Sequence, residues 1–232
     1  MKKLLLALMC MSMALFTTAC SDSSDKKETE KQEEQKKQEE QKKEETKKEE
    51  QKKDEESSMP GSVEGGKQYT AVISVEGYGD ITLTLDEGIA PKTVDNFVKL
   101  ANEGFYNGLT FHRIMDGFMI QGGDPEGNGT GGRDETIEGE FKSNGFNKTL
   151  SHKKGIISMA RSSNPNSASS QFFIVEEDST FLDGDYAAFG YVTDGMDVVE
   201  KIAEDAKPTD NNGTINPEDQ PVITSITVTE AE

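Results

Sequence analysis

The sequence contains no tryptophan, and both of its cysteines, Cys10 and Cys20, lie within the first twenty residues. Disulfides, thiol catalysis and cysteine-ligated zinc are therefore excluded for the rest of the chain. Long apolar runs are also absent, because residues 4–16 are too few to span a bilayer comfortably. The chain has two histidines, and neither lies in an obvious Ser/His/Asp arrangement.

The beginning of the chain has the pattern of an export signal. Two lysines, an apolar run and three small residues precede Cys20. We expect residues 1–19 to be a signal peptide. The tripeptide before Cys20 resembles the lipobox of bacterial lipoproteins, in which the cysteine thiol carries a diacylglycerol, although Thr17 stands where leucine is common. Lipidation of Cys20 is the leading hypothesis, and secretion without lipid or an uncleaved anchor are the alternatives.

Residues 20–66 are predicted to form a spacer, since residues 21–58 contain no aromatic or aliphatic side chain and repeat Lys, Glu and Gln. Glutamates such as Glu33 precede a lysine by four residues, which favours a solvated helix. Thirty such residues would reach about 45 Å as a helix, or on the order of 35 Å as a coil. The segment serves as a stalk from the membrane or, alternatively, as a solubilising tail.

The acidity of the chain lies after this spacer. Twelve basic and 29 acidic residues follow Glu56, which gives this part of the chain a net charge of −17. Such a surface disfavours phosphate backbones and anionic lipid headgroups. We therefore expect no nucleic-acid partner.

Residues 67–232 are expected to form a single, mainly β domain. Pro91 begins a helix whose apolar face ends before Gly104, and a second helix is predicted at residues 196–204 with Asp194 as its capping residue. Three runs that alternate apolar and polar side chains and five short β-type runs between turn signals predict eight strands, the last returning to pair with the first. These runs are residues 69–75, 81–85, 109–115, 118–121, 155–159, 171–175, 187–192 and 222–228.

Four motifs lie in this domain at compatible spacing. They are Phe-His-Arg-Ile-Met-Asp-Gly-Phe-Met-Ile-Gln-Gly-Gly-Asp at residues 111–124, Met-Ala-Arg at 159–161, Ser-Gln-Phe-Phe-Ile at 170–174 and Phe-Leu-Asp-Gly at 181–184. Together they resemble the cyclophilin family of peptidyl-prolyl cis/trans isomerases, over residues 68–228. The resemblance implies a closed eight-stranded antiparallel barrel capped by two α-helices.

Arg113 is the candidate catalytic residue. The peptide bond before proline has a rotation barrier of about 18–20 kcal/mol, because the nitrogen lone pair is shared with the carbonyl. A permanently charged guanidinium can hold that lone pair on nitrogen and so weaken the partial double bond. The resemblance implies the same role for the arginine of this motif.

The remaining candidate site residues would bind the peptide. A proline ring needs an apolar recess, and strand alternation should put Phe111, Arg113 and Met115 on one face. The resemblance implies that Gln121 bonds the substrate carbonyl or holds Arg113, and that residues 160 and 161 bind the peptide through their backbone. The full set of predicted substrate-binding residues is Phe118, Met119, Gln121, Ala160, Arg161, Gln171, Phe173, Phe181, Leu182 and Tyr186.

Two positions depart from the common family pattern. Phe181 stands where many members carry tryptophan, whose indole N–H bonds cyclosporin, so we expect weak cyclosporin binding at most. Tyr186 replaces a histidine of eukaryotic members and is similar to the bacterial branch. His112 is predicted to be structural and hydrogen-bonded beneath the site, and His152 to lie in a loop with no assigned role.

No metal and no cofactor is expected, because differential binding of the twisted amide is sufficient for catalysis. The glycine-rich residues 127–132 suggest a phosphate loop, yet no helix pattern follows them. Residues 124–135 nearly match a calcium loop, but the flanking segments are not helical. A glycine-rich loop at the border of the peptide groove is the better interpretation.

The leading function is a prolyl isomerase that assists the folding of exported proteins, lipid-anchored to the outer face of the bacterial cell membrane. Its partners would be proline-containing polypeptides, and we expect a monomer. The alternative is a non-catalytic chaperone or surface adhesion module that binds proline peptides. An isomerase assay on an Ala-Pro peptide separates the two.

Overall fold

A computed structural model describes residues 65–231. The predicted signal peptide at residues 1–19, the lipidation site Cys20 and the spacer up to residue 64 lie outside the described residues. Within residues 65–231, no helix has the length and apolar character needed to cross a membrane.

The described chain forms eight strands and two helices, as the sequence pattern predicts. The helices are α1 (Pro91–Asn102) and α2 (Met196–Asp205). The strands are β1 (Gln68–Val75), β2 (Gly79–Asp86), β3 (Thr110–Met115), β4 (Met119–Asp124), β5 (Ile156–Met159), β6 (Phe172–Val175), β7 (Ala188–Asp194) and β8 (Ile223–Glu230).

The strands form one antiparallel sheet in the order β3-β4-β6-β5-β7-β2-β1-β8. The first hairpin pairs Ile73 with Ile81, in the register that its alternating side chains predict. β8 pairs with β1 antiparallel, with Ile73 opposite Ile226, so the predicted return of the last strand is confirmed. The mainly β fold with two helices is therefore confirmed.

The observed sheet differs from the predicted closed barrel in one detail. Within residues 65–231, β3 and β8 are the two edges of the sheet, and no regular ladder joins them. Isolated bridges connect β3 to the segment before β8, at Thr110 with Val222 and at Arg113 with Thr214. That segment is irregular because it contains tight turns, so the sheet is a curled half-barrel whose gap is filled by a loop.

The two helices differ in how their ends are stabilised. After α1, Gly104 has a φ of 69°, and the N–H groups of Gly104 and Phe105 bond the carbonyls of Ala101 and Leu100, the Schellman arrangement. The prediction that Asp194 caps α2 is wrong. Asp194 ends β7, and Gly195 occupies the cap position with a φ of 82°, a left-handed conformation that glycine adopts without a Cβ clash.

Two apolar clusters fill the domain. The larger lies between the sheet and the helices, and Phe97 of α1 contacts the rings of Tyr106, Phe172 and Phe189 there at centroid distances of 5.1 to 5.4 Å. The smaller cluster is built on other faces of the strands and includes Met119 and several residues of the candidate site. Burial of both clusters supplies the main favourable free energy of folding.

Candidate active site

A bulge in β3 determines which of its side chains face the site. Phe111 pairs with Gly122 and Arg113 with Gln121, so His112 is an extra residue between two paired positions. Phe111 consequently points into the larger cluster, while Arg113 and Met115 face the other side. The prediction that Phe111 shares a face with Arg113 is therefore wrong, because the bulge shifts the alternation by one residue.

Arg113 is held at both ends of its guanidinium. Its Nε donates to the backbone carbonyl of Asn212 at 2.7 Å, and its Nη1 donates to Oε1 of Gln121 at 3.0 Å. Nη2 lies 3.3 Å from the sulfur of Met115, and Cζ lies 5.9 Å from the ring centroid of Phe118. These contacts fix a charged, planar group in one orientation over an apolar surface.

A chain of amides extends from Arg113 toward the glycine-rich loop. Nε2 of Gln121 donates to Oε1 of Gln171 at 2.9 Å, and Nε2 of Gln171 donates to the carbonyl of Gly131 at 2.8 Å. Asp124 organises that loop, because its buried carboxylate accepts backbone N–H groups of residues 126, 128 and 129. The loop therefore borders the site, and the carboxylate that a calcium loop would use is occupied by the backbone.

The apolar recess beside Arg113 comes from several strands. Met119 and Phe173 are buried in the smaller cluster, with Leu182 at its border and Ala160 half-buried against it. The ring of Phe173 meets that of Tyr186 edge to face, with centroids 5.8 Å apart. The recess thus has an apolar floor and a phenol at its rim, a shape that suits a proline ring.

The outer wall of the recess is an aromatic pair. The rings of Phe118 and Phe181 have centroids 5.4 Å apart. Phe181 is 72% exposed and is the only large exposed hydrophobic side chain among residues 65–231. An exposed phenylalanine is available for contact with a ligand, whereas the neighbouring Leu182 is buried.

Arg161 stabilises the opposite side of the rim. Its Cζ lies 4.9 Å from the ring centroids of both Phe141 and Tyr186. Its Nε donates to the carbonyl of Asp185 at 2.7 Å. The Ala160 N–H donates to the carbonyl of Gln171 at 2.9 Å. The structure therefore brings every predicted site residue of the domain into one connected surface.

A polar group under Phe173 was not predicted from the sequence. The fully buried His152 stacks on Phe173 at 6.1 Å, and its ring nitrogens lie 2.9 Å from Oδ1 of Asp183 and 3.1 Å from Oγ of Ser158. Burial lowers the pKa of His152, although the hydrogen bond to Asp183 opposes the shift. A neutral imidazole thus supports the floor of the recess.

Two further groups near Arg113 differ from the expectations. Both ring nitrogens of His112 are buried without a hydrogen-bond partner, so the prediction that His112 is hydrogen-bonded beneath the site is wrong. Burial also lowers the pKa of His112. The second group, the carbonyl of Asn212, carries no side-chain signal and could not have been found from the sequence. Burial lowers the pKa of Arg113 from its ordinary value, but a guanidinium remains protonated at neutral pH.

The arrangement places a fixed positive charge beside an apolar recess. Within residues 65–231, no group of three or more His, Cys, Asp or Glu side chains is positioned to hold a metal ion. A cation held beside such a recess has the chemistry to favour the lone pair that develops on a prolyl nitrogen as the bond twists. The site can therefore lower a rotation barrier by binding alone.

Comparison with known proteins agrees with this chemistry. The family model for cyclophilin type peptidyl-prolyl cis-trans isomerases matches residues 70–228. A probable peptidyl-prolyl cis-trans isomerase of Brucella suis is 42% identical over 152 residues, which cover 60% of this chain and 74% of that protein. Peptidyl-prolyl cis-trans isomerase B of Bacillus subtilis is 43% identical over 134 residues, covering 58% of this chain and 90% of that one.

A solved structure gives the same result at the level of the fold. A cyclophilin type isomerase of Cryptosporidium parvum, crystallised in the presence of the dipeptide Ala-Pro, superposes with a TM-score of 0.60 and 31% identity. The alignment covers 70% of this chain and 99% of that one. On its sequence, its fold and the extent of these matches, the chain belongs to the family of cyclophilin-type peptidyl-prolyl cis-trans isomerases.

Proposed function

We propose that this isomerase uses Arg113 as its catalytic residue and acts on proline-containing segments of exported proteins outside the cytoplasmic membrane. The observation that carries the catalytic assignment is the two-ended anchoring of Arg113 beside the recess, by Asn212 at 2.7 Å and by Gln121 at 3.0 Å. A cation held in this way loses no binding energy to reorganisation when the amide twists.

The same geometry supports the division of roles among the binding residues. Met119, Phe173 and Leu182 receive the proline ring, because they are the apolar side chains of the recess. Gln121 connects the guanidinium to Gln171, so that substrate carbonyls meet preoriented amide groups. The solved relative that was crystallised in the presence of the dipeptide Ala-Pro supports the binding of proline peptides.

A prolyl exchange assay tests the catalytic role. The wild type should accelerate the isomerisation of an Ala-Pro peptide, as measured by a protease-coupled assay or by NMR exchange. The kcat/KM of Arg113→Ala should be about 10²- to 10³-fold lower than that of the wild type. Arg133→Ala is the matched control, since Arg133 also lies over an aromatic ring, that of Phe105 at 5.3 Å, but outside the site. Equal rates for Arg113→Ala and the wild type would exclude Arg113 from catalysis.

The site of action is supported by the sequence before the domain. An export signal that ends at Cys20 and a charged spacer are suited to a protein tethered outside the cell. Proline isomerisation takes tens of seconds or longer without a catalyst, so newly exported chains would benefit from an isomerase at the membrane. Mass spectrometry of the mature N-terminus should find a diacylglyceryl mass on Cys20, and a free thiol there would refute the lipid anchor.

A further inference from the structure

A turn between α2 and β8 is built around the exposed Asp210. Its Oδ1 accepts the backbone N–H groups of Asn212 at 2.9 Å and Thr214 at 3.1 Å, and its Oδ2 accepts the Thr214 hydroxyl at 2.9 Å. The Gly213 N–H donates to the backbone carbonyl of Asp210 at 3.2 Å. One carboxylate therefore satisfies three donors and determines the shape of the turn.

This turn is fixed against β3 at the level of the backbone. The Ile114 N–H donates to the Gly213 carbonyl at 2.8 Å, and the Ile215 N–H donates to the His112 carbonyl at 3.0 Å. Gly213 has a φ of 84°, and a Cβ there would lie 2.5 Å from Cγ of Met115. Because the turn has no room to shift toward β3, its carbonyls hold defined positions.

One of these carbonyls controls the orientation of Arg113. The Asn212 carbonyl accepts from Nε, while Gln121 accepts from Nη1. Two anchors at different nitrogens fix the plane of the guanidinium, whereas Gln121 alone would leave it free to rotate about the remaining bond. Asp210 holds both peptide units that flank Asn212: its Oδ1 accepts the Asn212 N–H of the preceding unit, and its backbone carbonyl accepts the Gly213 N–H of the unit that carries the Asn212 carbonyl.

We propose that Asp210 is a positioning residue for the isomerase reaction, acting through the Asn212 carbonyl to hold the guanidinium of Arg113 against the substrate amide. This inference rests on the proposed catalytic role of Arg113. The charge of Asp210 also acts on Arg113, but the carboxylate is exposed and solvent and salt screen its field, so we expect its hydrogen-bond geometry to carry most of the effect. The side-chain hydrogen bonds of Asp210 are made within its own turn.

Substitutions at Asp210 separate geometry from charge. Asp210→Ala removes the acceptor, and kcat/KM for an Ala-Pro peptide should fall about tenfold, mainly in kcat, because a displaced guanidinium no longer faces the reacting nitrogen. Asp210→Asn keeps an acceptor for the two backbone N–H groups, so its activity should stay within about twofold of the wild type. Asp178→Ala is the matched control, because Asp178 is also exposed and accepts the Lys154 N–H at 3.0 Å in another turn.

Two readouts distinguish positioning from a general loss of structure. In a double-mutant cycle, Asp210→Ala should cause no further loss in the Arg113→Ala background, whereas an unrelated structural defect would lower both activities. By NMR, the Nε–H of Arg113 should be protected from solvent exchange in the wild type and in Asp210→Asn, and should lose that protection in Asp210→Ala.

The outcomes also separate this inference from the proposed function. If Arg113→Ala abolishes activity but Asp210→Ala keeps the wild-type kcat, Arg113 is catalytic and the role of Asp210 is refuted. A second outcome is that Asp210→Asn and Asp210→Ala lose kcat/KM equally, about tenfold, while the Nε–H of Arg113 stays protected. That result would assign the effect to the charge of Asp210 and would also overturn the inference. Full activity of Arg113→Ala would instead refute the catalytic assignment itself.

Discussion

The substitution Arg113→Lys separates the charge of the catalytic candidate from its geometry. Lysine keeps a full positive charge, but it has one nitrogen where arginine presents three. In the wild type, the two anchoring hydrogen bonds use Nε and Nη1, with donor–acceptor distances of 2.7 and 3.0 Å. A lysine ammonium has all its donors on one nitrogen, so it cannot reproduce the two anchoring positions that Nε and Nη1 hold in one plane.

The expected loss follows from these distances. A hydrogen bond to a charged group contributes about 1.5–3 kcal/mol, and a loss of that size in the transition state lowers the rate about ten- to 150-fold. The retained charge still contributes, because a cation beside the amide nitrogen stabilises the lone pair that develops there as the bond twists. Arg113→Lys should therefore show a kcat/KM about 50-fold below the wild type, and clearly above that of Arg113→Ala.

The assay is NMR exchange between the cis and trans forms of an Ala-Pro peptide, with Arg133→Lys as the matched control. Arg113 is half-buried on an edge strand, so both substitutions at this position should lower the thermal stability but leave the domain folded at the assay temperature, which a thermal unfolding curve of each variant checks. Wild-type activity for Arg113→Lys would show that the positive charge is sufficient for catalysis and that the two hydrogen bonds of the guanidinium are not needed. Identical rates for Arg113→Lys and Arg113→Ala would show that the positive charge alone does not contribute to catalysis.

Three further predictions concern the floor, the buried histidines and the outer wall of the site. Phe173→Ala should lower the free energy of unfolding, measured by urea titration, by about 3–5 kcal/mol. It should also raise the KM for prolyl peptides, measured by initial rates, and an unchanged KM would contradict the role of Phe173 in binding the proline ring. Burial lowers the pKa of His112 and His152 below the ordinary 6.5, so stability is complete above that pH and falls as the pH drops below it. Urea titrations at pH 7.5 and 5.5 should show this loss, at most about 1.4 kcal/mol per pH unit for each histidine, and a flat profile would contradict it. Phe181→Trp should bind cyclosporin about fivefold more tightly by calorimetry, because one added hydrogen bond contributes about 1 kcal/mol, and unchanged affinity would refute the role assigned to the missing indole.

Much of the fold could be predicted because its signals are local. Alternating side chains identified β1, β2 and β8, and short β-type runs between turn signals identified the other five strands. The suggested pairing of β8 with β1 is confirmed. Pro91 and Gly104 marked the two ends of α1 for backbone reasons that act within one turn. Asp194 failed as a cap because the neighbouring Gly195 could adopt the left-handed conformation and the strand continued to Asp194.

The errors in the site have a different origin. A bulge such as that at His112 has no residue signature, yet it places Phe111 on the opposite face from Arg113. The contact of His152 with Asp183 joins residues 31 positions apart, and only the folded chain brings them together. The anchor at Asn212 is a backbone carbonyl, which every residue possesses, so no sequence pattern could distinguish it.

In the short helical turn Thr180–Leu182, one residue packs in the core and its neighbour faces the outer wall of the site. Leu182 is only 9% exposed and belongs to the smaller cluster, whereas Phe181 is 72% exposed and contacts Phe118 at the outer wall. Successive positions in such a turn point about a third of a rotation apart, so one residue is directed inward and the next outward. Changes at Phe181 can therefore alter which ligands bind while Leu182 and the recess beneath remain in place. We therefore expect a substitution at residue 181 to change the rim of the site and to leave the buried Leu182 in place.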